Sequence, residues 1–255
     1  MSTVSYETRQ RIVIITIERP FARNAVDGPT AQALYDAFKR FDADGDIDVA
    51  ILQGRDGTFC AGADLKGVAE GRGNPVHRTG DLGPMGVTRL ALSKPVIAAI
   101  EGHAVAGGLE VACWCDLRIA AEDAVFGVFC RRFGVPLIDL GTVRLPRLIG
   151  QSRAMDMILT GRPVAANEAL AMGLANRVVA KGQTLDAALE LAGQLSAFPQ
   201  TCMRNDRASA LAQWSLDWEA ATAFEIEVGR QSLATGDARA GASRFASGQG
   251  RHGTF

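Results

Sequence analysis

The sequence predicts an α/β protein, and three observations carry that prediction. Residues 49–53 and 95–100 are short, apolar and β-branched without polar alternation, the pattern of strands buried on both faces. Each run leads into a turn of small residues, Ala61 to Ala63 in the first case and Gly107 with Gly108 in the second, and then into a segment with helix-start features. From Leu185 onward the periodicity is helical. At 255 residues and 47% apolar content the chain is long enough for one large core with an appended helical part, divided here as residues 1–195 and 196–255.

Taken in order, residues 11–18 read as a β-branched strand that Pro20 ends, and 21–26 as a loop. Asp27 stands as an N-cap with Pro29 just inside the helix, and Leu34, Phe38 and Phe41 give that helix an apolar stripe for packing on a sheet. Residues 67–85 are rich in glycine and charge and have no period, which inside a domain reads as a flap over a pocket. His77 lies within it, as a polar contact to a ligand or as a solvent-exposed loop residue. Residues 87–92 read as a helical turn and 116–120 as another strand. Helices follow over 140–148, closed by Gly150; from a Ser152 cap to Gly161; and from Asn167 to Met172. Residues 174–179 are extended. Helices then cover 185–198, a stretch after Pro199, and 216–233, closed by Thr235 and Gly236, and the Gly-rich tail 247–255 reads as loosely held.

Composition excludes several classes. A net charge of −1 makes no electrostatic case for nucleic acid or a membrane surface as partner. The first ten residues lack a basic region followed by an apolar run, and no apolar stretch is long enough to span a bilayer, so a cytoplasmic protein is expected. Five cysteines in such a chain are expected to be reduced thiols. Cys113 and Cys115 are too closely spaced for a CxxC site and the three histidines are scattered, so no metal site is expected. A dinucleotide-binding oxidoreductase fails on spacing, because G-H-A-V-A-G-G is not G-x-G-x-x-G.

The chemistry concentrates in residues 95–115. Gly107 and Gly108 fall at a helix N-terminus, where free amides attract negative oxygen and glycine lets a ligand approach the backbone. Glu110 lies in the first turn of that helix, either as a charge favoured by the helix dipole or as a general acid/base beside an oxyanion hole. Residues 57–66, G-T-F-C-A-G-A-D-L-K, supply a second strand-to-turn passage upstream.

Together these two turns resemble the crotonase, or enoyl-CoA hydratase/isomerase, superfamily, and the likeness extends to R-P-F-A-R-N-A-V from Arg19 and L-T-G-R-P-V-A-A-N-E-A from Leu159. The resemblance implies a spiral of β-β-α turns with a C-terminal helical region that builds trimers, often paired into hexamers. It implies an acyl-CoA thioester substrate drawn from fatty-acid metabolism, with no separate cofactor because coenzyme A is part of the substrate. The amides of Ala63 and Gly107 would bind the thioester oxygen as it becomes an enolate, and Arg23, Ala61, Asp64 and Leu65 would line the substrate. For Arg23 an ordinary surface arginine on a loop is the alternative.

In the family's hydratases a second Glu follows an F-G dipeptide by a few residues and shares a water with the first. Here F-G-V-F-C-R-R-F-G-V-P-L-I-D puts Cys130 at that position. A thiol is a poor replacement for such an acid. Cys130 reads as a small buried thiol or as a nucleophile beside Arg131 and Arg132. Asp139 is the other candidate, near where the family's isomerases and dehalogenases carry an acid. Its alternative role is the N-cap of helix 140–148. The expected function is hydration of a 2-enoyl-CoA with Glu110 and Asp139 as the catalytic pair. The alternatives are enoyl-CoA double-bond isomerisation and acyl-CoA binding without turnover.

Overall fold

Ile12, Val13, Ile14, Ile15 and Ile17 are all buried, and the topology explains why no face of this strand is polar. A computed structural model describes residues 2–250. The chain begins β1 (Val4–Arg9), β2 (Ile12–Ile17), α1 (Gly28–Ala43), β3 (Val49–Gly54) and α2 (Leu65–Ala69), and continues β4 (Val96–Ile100), β5 (His103–Val105), α3 (Gly107–Trp114), β6 (Leu117–Ala121) and β7 (Val125–Gly127). Then come α4 (Gly141–Ile149), α5 (Gln151–Thr160), β8 (Val164–Ala165), α6 (Ala166–Met172), β9 (Arg177–Val179) and α7 (Thr184–Ala197).

Six strands form one sheet in the order β1-β2-β3-β4-β6-β9, antiparallel only between β1 and β2. Alternate residues feed two cores. Val13, Ile15, Ala50, Leu52, Val96 and Ala98 pack with Leu34, Phe38 and Phe41 of α1 on one face. Ile12, Val49, Ile51, Ile97 and Ala99 pack with Ala188, Leu191 and Ala192 of α7 on the other. Parallel strands covered by helices on both faces account for the unbroken apolar runs. After β4 the chain leaves this sheet for a smaller one, β5-β7-β8. That departure carries the glycine-rich turn into α3.

Two buried cations hold this framework. Lys94 Nζ donates to the carbonyls of Phe41 (2.9 Å) and Asp44 at the end of α1. Arg118, 2% exposed, donates to Cys115 O (2.6 Å) and Ala112 O (3.4 Å) at the end of α3, and to Leu174 O (2.6 Å) beyond α6. Arg118 therefore anchors the helix that carries Glu110.

The chain divides into two compact units, the first ending at Leu195 and the second starting at Ser196. The second holds α8 (Gln200–Ala212), α9 (Trp218–Ala234) and α10 (Asp237–Ala246). Asp217 caps α9 through Ala220 N (2.8 Å), and Asn205 of α8 donates to Val228 O (2.9 Å) and Ser232 Oγ (3.0 Å) of α9.

The α/β expectation holds, with local corrections. The sequence reading has no counterpart of β1, whose polar Ser5, Glu7 and Arg9 fit an edge strand with one face toward solvent. Helix α4 begins at Gly141 behind Leu140, which adopts φ 68° and makes no side-chain cap, so Asp139 does not cap it. Helix α5 begins at Gln151 with Gly150 as its N-cap, so Ser152 does not cap that helix either. Residues 87–92 contain a single hydrogen-bonded turn, Leu90 N to Val87 O. Of the extended segment 174–179 only Arg177–Val179 joins the sheet. The last five residues of the tail, 251–255, lie outside the described residues.

Arg118→Met should strand three buried carbonyls and lower stability by about 3 kcal/mol, measured by urea unfolding against the parent chain.

Candidate functional site

The two small-residue turns lie side by side because their backbones pair. Cys60 N donates to His103 O (2.9 Å) and Val105 N to Cys60 O (3.1 Å). Gly108 permits this approach: a Cβ there would stand 2.1 Å from Cys60 O. On the outer side of the first turn, Ala61 N donates to Arg23 O (3.1 Å), Val26 N to Gly62 O (2.8 Å) and Asp64 N to Val26 O (3.0 Å). This pattern leaves the Ala63 amide, between two engaged neighbours, with no acceptor among the described residues. The Gly107 amide is likewise unengaged, being the first of α3. Ala106 before it adopts φ 54° and ψ −127°, a conformation disfavoured for a residue with a Cβ and held here by Ala106 N donating to Gly127 O (2.8 Å). Ala63 and Gly107 line the same cavity, of about 300 Å³.

Glu110 points away from its own helix terminus. Its Oε1 accepts from the amides of Asp139 (2.9 Å) and Gly141 (2.8 Å), so the carboxyl sits at the N-terminus of α4. Gly141 makes room for it, since a Cβ there would stand 2.7 Å from both Cγ and Oε1 of Glu110. Glu110 lies in the first turn of α3 as expected, and its carboxyl also serves the start of α4 across a tertiary contact. Asp139 is held in the same manner. Its Oδ1 accepts from Met85 N (2.9 Å) and from the Thr88 hydroxyl. Each carboxyl therefore has one oxygen fixed by two donors. The other oxygen, Oε2 of Glu110 and Oδ2 of Asp139, has no hydrogen-bond partner among the described residues, and both side chains line the cavity.

Their electrostatics separate them. Glu110 is 2% exposed and Asp139 3%. Burial, and next the neighbouring Asp139 charge, push the Glu110 carboxyl up to about 7 against the pull of the Gly141 and Asp139 amides. Burial also raises Asp139, but the Thr88 hydroxyl, the Met85 amide, Arg89 and Arg144 all oppose it. Burial thus raises both carboxyls, Glu110 to about 7, and the Asp139 charge adds to the rise of Glu110.

The rest of the lining is largely apolar. It includes Phe129 and Phe133 from the turn Phe129–Phe133, and Val68, Val76 and Met85 from the 67–85 segment, in keeping with a flap beside the cavity. Cys130 also lines it, and burial raises its thiol above the ordinary value, so it stands as a neutral thiol and not a thiolate nucleophile. Ala61 and Leu65 line the cavity as well. Asp64 does not. Its carboxylate caps α2 through Lys66 N (3.1 Å) and Gly67 N (3.2 Å) and pairs with buried Arg19 (2.9 Å), which also holds Asp27 (3.0 Å). Arg23 adopts φ 51° at the end of the short turn Pro20–Ala22 and lies outside the cavity lining. His77 is exposed, and its carbonyl accepts from Arg89 (2.7 Å). Met85, Thr88 and Gly141 have no site role in the sequence reading, because their contacts to Asp139 and Glu110 span 31 residues or more. Among the described residues, no group of three His, Cys, Asp or Glu side chains could hold a metal, and no helix is long and apolar enough to cross a membrane.

Comparison with known proteins agrees with this geometry. The family described as Enoyl-CoA hydratase/isomerase matches residues 7–250. Enoyl-CoA hydratase EchA19 of Mycobacterium tuberculosis is 36% identical over 244 residues, covering 94% of this chain and 92% of that protein. Carnitinyl-CoA dehydratase of Salmonella agona is 41% identical over 189 residues, 72% of this chain and 70% of that one. Among solved structures, enoyl-CoA hydratase EchA1 of Mycobacterium marinum superposes with a TM-score of 0.90 at 37% identity, covering 97% of this chain and 96% of that one.

The pH dependence of stability tests the Glu110 environment. A carboxyl raised from 4.5 to about 7 binds more protons in the folded than in the unfolded chain between those values, so its contribution to stability falls as pH rises through that window. Glu110→Gln should therefore gain about 3 kcal/mol on the parent chain between pH 4.5 and pH 8. Urea unfolding at the two pH values checks this, and parallel pH profiles for the two proteins would contradict it.

Proposed function

Because the chain belongs to the enoyl-CoA hydratase/isomerase family, we propose that it is an enoyl-CoA hydratase-type lyase whose second carboxylate is Asp139. The observation that carries this reading is the pairing of Glu110 and Asp139 in one cavity, each with one oxygen fixed and one free. The Ala63 and Gly107 amides donate to the thioester oxygen and stabilise the enolate that forms there, preorganised donors of a kind each worth about 3 kcal/mol of barrier. A water lies between Glu110 Oε2 and Asp139 Oδ2. The charged Asp139 takes a proton from this water as its oxygen bonds to C3. The C2–C3 π electrons move onto the thioester as an enolate, and the Glu110 proton is delivered to C2. The enzyme is left with Asp139 protonated and Glu110 ionised, and proton return between the two resets it. Dehydration of a 3-hydroxyacyl-CoA runs the same steps backward.

Cys130 takes no part in proton transfer in this scheme, and its neutral thiol is part of the pocket wall. Ala61 and Leu65 contact the acyl-CoA. Asp64 acts through Arg19 to hold the first turn, and Arg23 lies on the loop that meets the coenzyme A nucleotide. The second unit is the oligomer interface of a trimer or a pair of trimers. Its support is exposed apolar surface: Trp218 is 87% exposed and Leu233 66%, and α8 buries no residue. A cytoplasmic setting accords with five unpaired cysteines.

The test is the ultraviolet absorbance of crotonyl-CoA with the purified protein. The parent chain should consume the conjugated thioester, and Glu110→Gln and Asp139→Asn should each lose about 10²- to 10⁴-fold in kcat. Cys130→Ser should retain most of the activity. Hydration should fall as pH rises above about 7, where Glu110 loses the proton it delivers. A parent chain inert toward crotonyl-CoA but active in moving the double bond of a 3-enoyl-CoA would make it an isomerase instead.

A further inference from the structure

The carboxylate of Asp139 is held by a short stretch at the far end of the flap. Gly83 and Gly86 exchange backbone hydrogen bonds, Gly83 N to Gly86 O (3.1 Å) and Gly86 N to Gly83 O (2.8 Å), forming a tight turn that aims the Met85 amide at Asp139 Oδ1. Two residues on, Thr88 is fully buried and its hydroxyl donates to the same oxygen. Arg144 of α4 braces both sides, with Nη2 donating to Thr88 O (2.8 Å) and Nη1 to Asp139 O (3.4 Å).

We propose that Thr88 is a positioning residue whose hydroxyl, beside the Met85 amide, keeps the Asp139 carboxylate charged and turned with Oδ2 toward the cavity. The inference rests on the hydratase reading for its catalytic consequence, but not for the hydrogen bonding itself. A hydroxyl whose one acceptor among the described residues is a carboxylate favours the ionised form, because a neutral carboxyl accepts the bond more weakly. The charged and titratable groups facing Asp139 from the surrounding elements are Glu110 on α3, Arg144 on α4, Arg89 on the following loop and Cys60 on the first turn. Cys60 is pushed up to about 12 by burial and stays neutral. Neither arginine donates a hydrogen bond to the Asp139 carboxylate: Arg89 Nη1 goes to His77 O, and Arg144 meets the backbone of Asp139. Thr88 is thus the one side chain among the described residues that bonds the carboxylate directly.

The experiment compares the parent chain with Thr88→Val, which keeps the shape and removes the donor, and Thr88→Ser, which keeps the donor. Two readouts are taken. One is the ¹³C carboxyl titration of Asp139, assigned by its loss in Asp139→Asn, and the other is the pH profile of crotonyl-CoA hydration. In Thr88→Val the Asp139 titration and the acid limb of the profile should both move up by about one pH unit. At the same time kcat should fall about tenfold with KM within about twofold. Thr88→Ser should match the parent chain in both, and Thr88→Ala replaces the valine variant if that one does not fold. An unmoved Asp139 titration in a folded Thr88→Val or Thr88→Ala chain overturns the proposal, as does an equal loss in Thr88→Ser. A parent chain that does not hydrate crotonyl-CoA while its Asp139 titration still moves on removing the hydroxyl leaves the holding role standing and removes the hydratase reading alone.

Discussion

The bond on which the site depends runs from the Asp139 and Gly141 amides to Glu110 Oε1. It joins α3, which carries the Gly107 amide, to α4, whose leading segment carries Asp139. An amide at a helix start needs an acceptor and a buried carboxyl needs donors, and each is met by the other across 31 residues of chain. The contact requires an unusual backbone on both sides. Ala106 and Leu140, the residues preceding the two helices, both take positive φ without being glycine. Such conformations persist only where the surroundings over-determine them. Here the surroundings are strand pairing at Ala106 and the Glu110 carboxyl beyond Leu140.

The same bond separates the two carboxyls chemically. Two amides on Oε1 stabilise the Glu110 anion, yet its net shift is upward because burial and the Asp139 charge outweigh them. Asp139 is almost as buried but has a hydroxyl, an amide and two nearby guanidinium groups in its favour. Burial raises both carboxyls, and donors lying outside the cavity oppose that rise in each case, two amides at Glu110 and a hydroxyl and an amide at Asp139.

What the sequence made legible was what is local. Strand runs such as 49–53 and 95–100, the Asp27 cap and the glycine pair that opens α3 have periods or neighbours within a few residues, and they appear in the structure with shifts of a residue or two at their ends. The glycine pair and Glu110 stood out for the same reason, whereas the roles of the Ala63 and Gly107 amides came only with the family resemblance. Asp139 was singled out through its place near the acid of the family's isomerases and dehalogenases, with the ordinary role of a helix cap as its alternative. It fails as a cap because Leu140 intervenes in a left-handed conformation. Thr88 carried no signal at all. A threonine before a β-branched strand is unremarkable in sequence, and its partner lies 51 residues away. Asp64 shows the converse: its place in the motif suggested a ligand contact, while its carboxylate is used by the α2 amides and Arg19.

Cys130 and Asp139 are best understood together. A carboxylate at position 130 would stand in the turn Phe129–Phe133, where burial already disfavours a charge on the thiol and Glu110 opposes it further. The Arg131 charge and the backbone amides of Cys130 and Arg131 oppose the rise of the thiol without reversing it, and Arg132 is turned away to Gly161 O and the Phe129 ring. At position 139 the donors are already in place, and the backbone amide of the same residue serves Glu110. The carboxyl at 139 is thus met by the Thr88 hydroxyl and the Met85 amide, while the thiol at 130 is held neutral by burial. One cavity thus places Glu110 against a held carboxyl on the wall that carries Asp139 and against a neutral thiol on the wall that carries Cys130.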